Sequence, residues 1–300
     1  MDTHAPFSLL APAKINLSLH ICGRRDDGYH ALESLVAFAD IGDRLTFEKA
    51  DRSSLDVDGG FAPDLVRQSS GDNLIEIAHK RLEKALGVTL NCRITVHKNL
   101  PISAGLGGGS ADAAAALRGL NRFFALDVPH IVLSKLAQEL GADIPVCLSP
   151  RPAWMRGIGH DVTRLPDLPE ADIVLVNPRV DLPTATVFES LSAAPQVAPP
   201  QPIPQQFSDL AALTAFIAAQ GNGLYETATA HVPDIDDCLS HLRANGAAYA
   251  AMSGSGASCF ALVEAGAGAD VATAYQAHRP TDWVAAGRLI GARDTEIDEA

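Results

Sequence analysis

The chain is 300 residues long with a formal net charge of −13, enough length for a large buried core and the wrong sign for a nucleic-acid footprint. No apolar run reaches the ~20 residues that cross a bilayer, and Asp2 with no basic stretch before residues 7–10 argues against a signal peptide. The odd set Cys22, Cys92, Cys147, Cys238 and Cys259 holds no Cys-x-x-Cys pair, so reduced, mostly buried thiols in a cytoplasmic protein are expected, without a zinc site.

From residue 14 to 21 polar and apolar residues alternate, which predicts a strand with Ile15, Leu17, Leu19 and Ile21 on one face. Lys14, Asn16, Ser18 and His20 share the other face, so Lys14 and Asn16 leave the sheet together. That pair presents a cation and an amide to a ligand if the face lines a cleft, and is a solvated edge if it does not. Residues 27–30 follow as a turn carrying Tyr29 and His30, a flat ring beside a hydrogen-bonding group, which suits a nucleobase but is also common on plain surfaces. Further strands are expected over residues 35–41, 44–48 and 92–97. A helix carrying Leu74, Ile75, Ala78, Leu82 and Ala85 begins at residues 72–73 and ends at Gly87.

Residues 101–112 are the most informative stretch. Pro101, Ile102, Ser103, Ala104, Gly105, Leu106, Gly107, Gly108, Gly109, Ser110 and Ala111 follow a strand and run into an alanine-rich helix, expected near residues 110–124. Glycine accepts positive φ and has no Cβ, so such a backbone can wrap its N–H groups around an oxyanion beside the positive end of the helix. A phosphate is the expected guest. A Walker A loop needs Lys-Ser/Thr after its last glycine, and a dinucleotide fingerprint needs glycine where Ser110 stands; neither pattern is met.

Beyond the loop, residues 132–140 read as a helix closed by Gly141, with Asp143 next and Pro145 biasing residue 144 away from helix. That fixes a carboxylate on a tight turn. Near residue 165 the composition shifts, and the five prolines at 195, 199, 200, 202 and 204 mark an exposed connector. Helices near 210–219 and 234–245 then alternate with strands near 249–252, 258–263 and 283–287. Residues 253–258 form a second glycine loop, either a hairpin turn or a lid over phosphates. The fold class expected is α+β in two domains, 1–165 and 166–300, with the active site in the cleft between them.

Three segments together resemble the GHMP kinase superfamily: APAKINLSL at 11–19, PISAGLGGGSADAAAAL at 101–117 and MSGSGASCFAL at 252–262. They come in the family's order and spread over nearly the whole chain. The segments at 23–35, 141–148 and 181–188 resemble the branch whose substrate is a cytidine diphosphate ester of methylerythritol. The resemblance implies ATP-dependent phosphorylation of that substrate's 2-hydroxyl, with ATP as co-substrate and Mg²⁺. It implies Lys14 and Asp143 as the catalytic pair and the backbone from Pro101 to Ala111 as the cradle of the ATP phosphates, with Ser110 touching the metal. It further implies Asn16 and Thr184 on the sugar-alcohol and phosphate parts, Tyr29 and Phe188 around the cytosine, and His30 on its polar edge. The partners implied are small molecules, with no nucleic acid and no membrane, for a monomer or weak homodimer. A kinase for homoserine, mevalonate or a sugar would leave Tyr29, His30 and Phe188 without a common role. A non-catalytic nucleotide binder would need neither Lys14 nor Asp143. The family usually has Gly where Arg179 stands, Pro where Ala185 stands and an acid where His160 stands.

Overall fold

The structure, a computed structural model, describes residues 5–26, 28–68, 73–191 and 202–291. Most of the proline-rich connector, at 192–201, lies outside the described residues, as does Asp27.

In chain order the first half runs β1 (Phe7–Asn16), β2 (His20–Arg24), β3 (His30–Lys49), β4 (Ser54–Asp58), α1 (Ala62–Gln68), α2 (Leu74–Leu86), β5 (Cys92–His97), α3 (Gly108–Phe123), α4 (His130–Leu140), α5 (Ile144–Cys147), β6 (Ala153–Gly157) and β7 (Asp161–Arg164). The second runs β8 (Asp172–Asn177), α6 (Thr184–Glu189), α7 (Leu210–Gln220), α8 (Tyr225–His231), α9 (Asp234–Ala244), β9 (Tyr249–Met252), β10 (Cys259–Val263), α10 (Gly268–His278) and β11 (Trp283–Arg288). Seven strands form the first sheet, organised on β3, which pairs with β1, β2, β5 and β6. The second sheet has four antiparallel strands in the order β11-β8-β10-β9.

Two expectations are corrected. The alternating stretch 14–21 is not one strand: β1 stops at Asn16 and β2 begins at His20. Between them Leu17 and Ser18 both donate to the Leu35 carbonyl, and the Ser34 hydroxyl donates to the Ser18 carbonyl, so side chain and backbone hold a kink that alternation cannot reveal. Conversely, the strands expected at 35–41 and 44–48 are one strand of 20 residues. It passes through Gly42, where a Cβ would stand 2.3 Å from the Ala11 carbonyl oxygen of β1. Only glycine fits that approach.

Period-two burial assigns each strand's two faces. On β8, Val174 and Val176 enter a core shared with α8, α9 and α10, while Ile173 and Leu175 enter a second core with Leu213 and Ile217 of α7. β10 divides the same way, with Ala261 and Val263 to one side and Phe260 and Leu262 to the other. The second core also takes Ala13, Ile15 and Leu17 from the first half, so the two sheets share a layer of apolar side chains. Both faces of β8 and β10 are therefore buried, which explains their nearly continuous apolar sequence.

On the other side of the first sheet lies a third core with α2, α3 and α4. The alanine run 113–116 of α3 is fully buried, and its small side chains let the helix approach the sheet closely. Gly119 marks the closest point: a Cβ there would stand 2.0 Å from Cζ of Phe47, whose ring is fully buried and stacked on Phe7 at 5.2 Å. Gly119→Ala is expected to destabilise the protein by about 1–3 kcal/mol through overpacking. Denaturant titration checks this; an unchanged midpoint would show that Phe47 has room to move.

Candidate active site

In β1, Ala13 and Ile15 enter the apolar layer between the sheets, whereas Leu9 and Ala11, on the far side of a register shift between Pro12 and Lys14, enter the core with α2, α3 and α4. Lys14 and Asn16 emerge on the face opposite Ile15. They are not a solvated edge. Lys14, Asn16, Ser18 and His20 are all buried. The phosphate loop folds directly over this face. Lys14 donates its backbone N–H to the Leu106 carbonyl at 2.9 Å, and a Cβ at Gly107 would stand 3.1 Å from that of Lys14.

The loop's shape depends on positive φ at Ser103 (52°), Gly105 (73°) and Gly107 (63°). Gly107 is the N-cap of α3, which begins at Gly108, so the helix starts earlier than residue 110 and places Ser110 inside its first turn. No side chain caps that turn. Its N–H groups are therefore left for an incoming anion. The second glycine loop does not lie over the phosphate loop as a lid. It docks against it: the Ser253 hydroxyl donates to the Gly105 carbonyl at 2.9 Å and accepts the backbone N–H of Asn16 at 3.2 Å. A Cβ on Gly105 would stand 2.4 Å from the Ser253 carbonyl oxygen.

Asp143 follows the end of α4 and precedes α5. Here the expectation of a non-helical residue 144 fails: Ile144 opens α5 with Pro145 inside its first turn, where a missing N–H costs nothing. The carboxylate still sits at the helix entrance, and its Oδ2 accepts from Lys14 Nζ at 2.7 Å. The Lys14 side chain is 5% exposed and that of Asp143 36%, so the pair stands at the wall of a cavity rather than inside the core. The Arg164 guanidinium donates to the Val146 carbonyl at 3.2 Å and steadies α5 from behind; burial pushes its pKa down to about 10.

One cavity of about 1180 Å³ gathers most of the expected site residues. Lys14, Asn16, Asp143 and residues 101–105 and 107–110 line it, together with Tyr29, His30, Thr184 and Phe188. Leu106 and Ala111 do not; their side chains are buried, and Leu106 contributes only its carbonyl to Lys14. His30 packs on Phe188 with ring centroids 5.4 Å apart, while Tyr29 stands 65% exposed. Burial, then the nearby Arg24, lowers the pKa of His30 and keeps its imidazole neutral at neutral pH. Thr184 Oγ1 and Ser255 Oγ share a hydrogen bond of 2.8 Å. The Asn16 amide donates to Ser34 Oγ at 2.7 Å, and its Oδ1 has no partner among the described residues.

Sequence reasoning missed Lys98, Asp112 and Ser255, which line the same cavity. Asp112 lay within the glycine-loop motif and Lys98 just ahead of it, so position was the available signal. Burial pushes the Asp112 carboxyl up to about 7 against the pull of Lys98.

Models of the GHMP kinase N-terminal domain and C-terminal domain match residues 73–150 and 206–280. The 4-diphosphocytidyl-2-C-methyl-D-erythritol kinase of Ruegeria pomeroyi is 46% identical over 283 residues, covering 93% of this chain and 98% of that protein. The chain belongs to this family of GHMP kinases. The same enzyme of Rhizobium meliloti is 45% identical, covering 94% of each chain. A crystal structure of 4-(cytidine 5′-diphospho)-2C-methyl-D-erythritol kinase superposes with a TM-score of 0.74 at 32% identity, covering 95% of this chain and all of that one. Homoserine kinase from Cytophaga hutchinsonii shares the fold, with a TM-score of 0.68 at 20% identity.

Membership makes the chain an ATP-dependent small-molecule kinase with the mixed α/β two-sheet GHMP fold. Gly105→Ala, which meets both the φ of 73° and the Ser253 carbonyl, is then expected to lower kcat/KM for ATP by ~100-fold. Steady-state kinetics with ATP varied checks it; a value within twofold of wild type would show that the loop tolerates another shape.

Proposed function

We propose that the chain transfers the γ-phosphoryl group of ATP to the 2-hydroxyl of 4-diphosphocytidyl-2-C-methyl-D-erythritol, giving the 2-phosphate and ADP. The observation that carries this is the Lys14–Asp143 pair, 2.7 Å apart, with the phosphate loop and the His30–Phe188 rings on the walls of the same cavity.

Phosphoryl transfer asks the protein for alignment and charge neutralisation. The backbone N–H groups of the loop and of the first turn of α3 hold the phosphates. The substrate hydroxyl hydrogen-bonds to Asp143, its oxygen attacks the γ-phosphorus, and the bond to the β-phosphate oxygen breaks with its electron pair leaving on ADP. The hydroxyl proton passes to Asp143, late in a loose transition state, so orientation is the larger share of that residue's work. Lys14 Nζ stabilises the charge on the transferring group. Asn16 Oδ1 accepts from a substrate hydroxyl, and Thr184 with Ser255 faces the sugar-alcohol and phosphate parts. Tyr29, exposed at the cavity rim, stacks on the cytosine against Phe188, and His30 reads the base edge.

Among the described residues no three His, Cys, Asp or Glu side chains gather into a metal cage. The Ser110 hydroxyl, which lines the cavity in the first turn of α3, would hold a Mg²⁺ ion brought in with the nucleotide. When bound, the ion neutralises phosphate charge. The division near residue 165 is supported by the first sheet ending at Arg164 and the second starting at Asp172. All five cysteines are free, four of them buried, which suits a cytoplasmic enzyme. No helix among the described residues is long and apolar enough to cross a membrane.

ADP release from ATP and Mg²⁺ tests the acceptor, with the cytidyl compound offered beside homoserine, mevalonate and galactose. Turnover is expected with the cytidyl compound alone; turnover with another alcohol instead would discard the cytosine pocket. Asp143→Asn and Lys14→Ala are each expected to lower kcat by ~100-fold or more while ATP still binds. Near-normal kcat in either variant would remove that residue from the mechanism. Tyr29→Ala is expected to raise KM for the cytidyl substrate by about ten- to a hundred-fold, the worth of one base stack. An unchanged KM would place the base elsewhere.

A further inference from the structure

Beneath the phosphate loop lies a charged cluster that the reaction as described does not use. The Lys98 ammonium donates to Asp112 Oδ2 at 2.6 Å and to Asp43 Oδ2, and all three residues are buried. Their places in the chain matter. Lys98 is the first residue after β5, which leads into the loop, and Asp112 stands in α3, which leads out of it. Asp43 lies within β3, beside the Gly42 crossing. Asp43 Oδ1 accepts the backbone N–H groups of Asn99 (2.6 Å) and Leu100 (2.9 Å), the first two residues after Lys98, while the Asn99 amide donates to the Gly42 carbonyl at 3.0 Å. Chain entry is thus held by Asp43, chain exit by Asp112, and one ammonium joins them.

We propose that Lys98 is a positioning residue for phosphoryl transfer, its ammonium fixing the two ends of the phosphate loop relative to each other so that the loop's N–H groups are aimed before ATP arrives. This rests on the kinase function proposed above.

Three observations support it. Replacing a buried ionic cluster by apolar side chains often leaves a protein as stable or more so, so three buried charges are poorly explained by stability alone. What they supply is a link that cannot be let go cheaply: moving the buried ammonium away from either carboxylate leaves an uncompensated charge, whereas an apolar contact there would slide. Next, the cluster is not sealed in the core. Lys98 and Asp112 both line the cavity, and Asp112 Oδ1 accepts no hydrogen bond among the described residues, so the cluster meets the space where the phosphates arrive. Finally, no side chain caps the N-terminus of α3, where Gly107 is the N-cap. The Ser253 hydroxyl grips the middle of the loop at Gly105 and the Lys14 N–H holds Leu106, whereas Lys98 ties the segment before the loop to α3 after it.

Lys98→Met keeps the length of the side chain and removes the charge. The expected result is a folded protein whose Kd for ATP, read by calorimetry without acceptor, weakens ~100-fold, while Kd for the cytidyl substrate stays within twofold. A merely structural role would move both affinities or neither. Asp112→Asn, which keeps an acceptor for the ammonium, is expected to retain ATP affinity within threefold. Asp112→Leu cuts only the exit link and is read in place of Lys98→Met if that variant does not fold; its ATP affinity is expected to fall in the same direction. Wild-type ATP affinity in Lys98→Met, or in Asp112→Leu where it substitutes, overturns the assignment. The ATP titration does not depend on the acceptor, so a wild-type protein that binds ATP yet ignores the cytidyl compound refutes the substrate alone. A wild type that does not bind ATP refutes both.

Discussion

The fold of the phosphate loop onto β1 is the constraint on which the site depends. Leu106 accepts the backbone N–H of Lys14, Gly107 lies against the Lys14 side chain, and Ser253 bridges Gly105 to the backbone of Asn16. The loop proposed to hold the phosphates and the side chains proposed to meet the acceptor are therefore parts of one packed unit. Lys14 is buried because the loop covers it, and among the described residues its side chain is bonded to Asp143. A lysine that is nearly enclosed and pinned to a carboxylate loses little freedom when a reacting group arrives, which is how enclosure is converted into alignment.

The apolar layer between the sheets brings the second half to this unit. Ile15 and Leu17 of the first half meet Ile173, Leu175, Phe260 and Leu262 of the second, and this contact sets where α6 and the 253–258 turn stand relative to β1. The backbone just beyond β11 adds to it, with Ala39 bridging to Leu289 and Ile290 donating to the Phe38 carbonyl at 2.8 Å. Thr184, Phe188 and Ser255 reach the cavity as a consequence of that packing. Fully burying a side chain of Leu or Phe size is worth about 1.5–3 kcal/mol, so a shared layer of this kind is a strong brake on relative movement of the halves.

Local elements were legible where one periodicity and one terminator coincided. The strand at 92–97 and the strand at 249–252 have the expected bounds, and Gly87 ends α2 in the left-handed conformation that its position implied. The kink at 17–19 was not legible, because the hydrogen bonds that hold it run to the Ser34 hydroxyl and the Leu35 carbonyl of a later strand. The start of α3 was misplaced because Ser110 looks like a cap, whereas Gly107 in the left-handed region turns the chain sooner. Within the site, the residues on the glycine loops could be named from sequence because their composition is unusual. Lys98, Asp43 and Asp112 could not be joined, since their partnership spans 55 residues and each is an ordinary surface residue until the fold buries it.

The three positions where the sequence departs from its family show how contacts stand in for backbone preference. Arg179 holds a φ of 58°, the region glycine enters without cost, which accounts for the glycine the family usually has there. Its strain is offset locally: the Arg179 N–H donates to Asn177 Oδ1 at 2.7 Å, and its guanidinium lies 5.6 Å from the centroid of the Phe61 ring, a contact between the two halves. Ala185 lacks the fixed φ of a proline, yet Pro183 already precedes α6 as its N-cap, and the bond from Thr184 to Ser255 fixes the hydroxyl directly. His160 places its imidazole over Gly157, where a Cβ would stand 2.9 Å from Cε1, so the turn between β6 and β7 is closed by packing of the ring where a carboxylate would leave the space open. Of the three positions Ala185 alone lines the cavity, so the local contacts at Arg179 and His160 act on the turns that carry them and leave the bond between Lys14 and Asp143 to the loop and to α5.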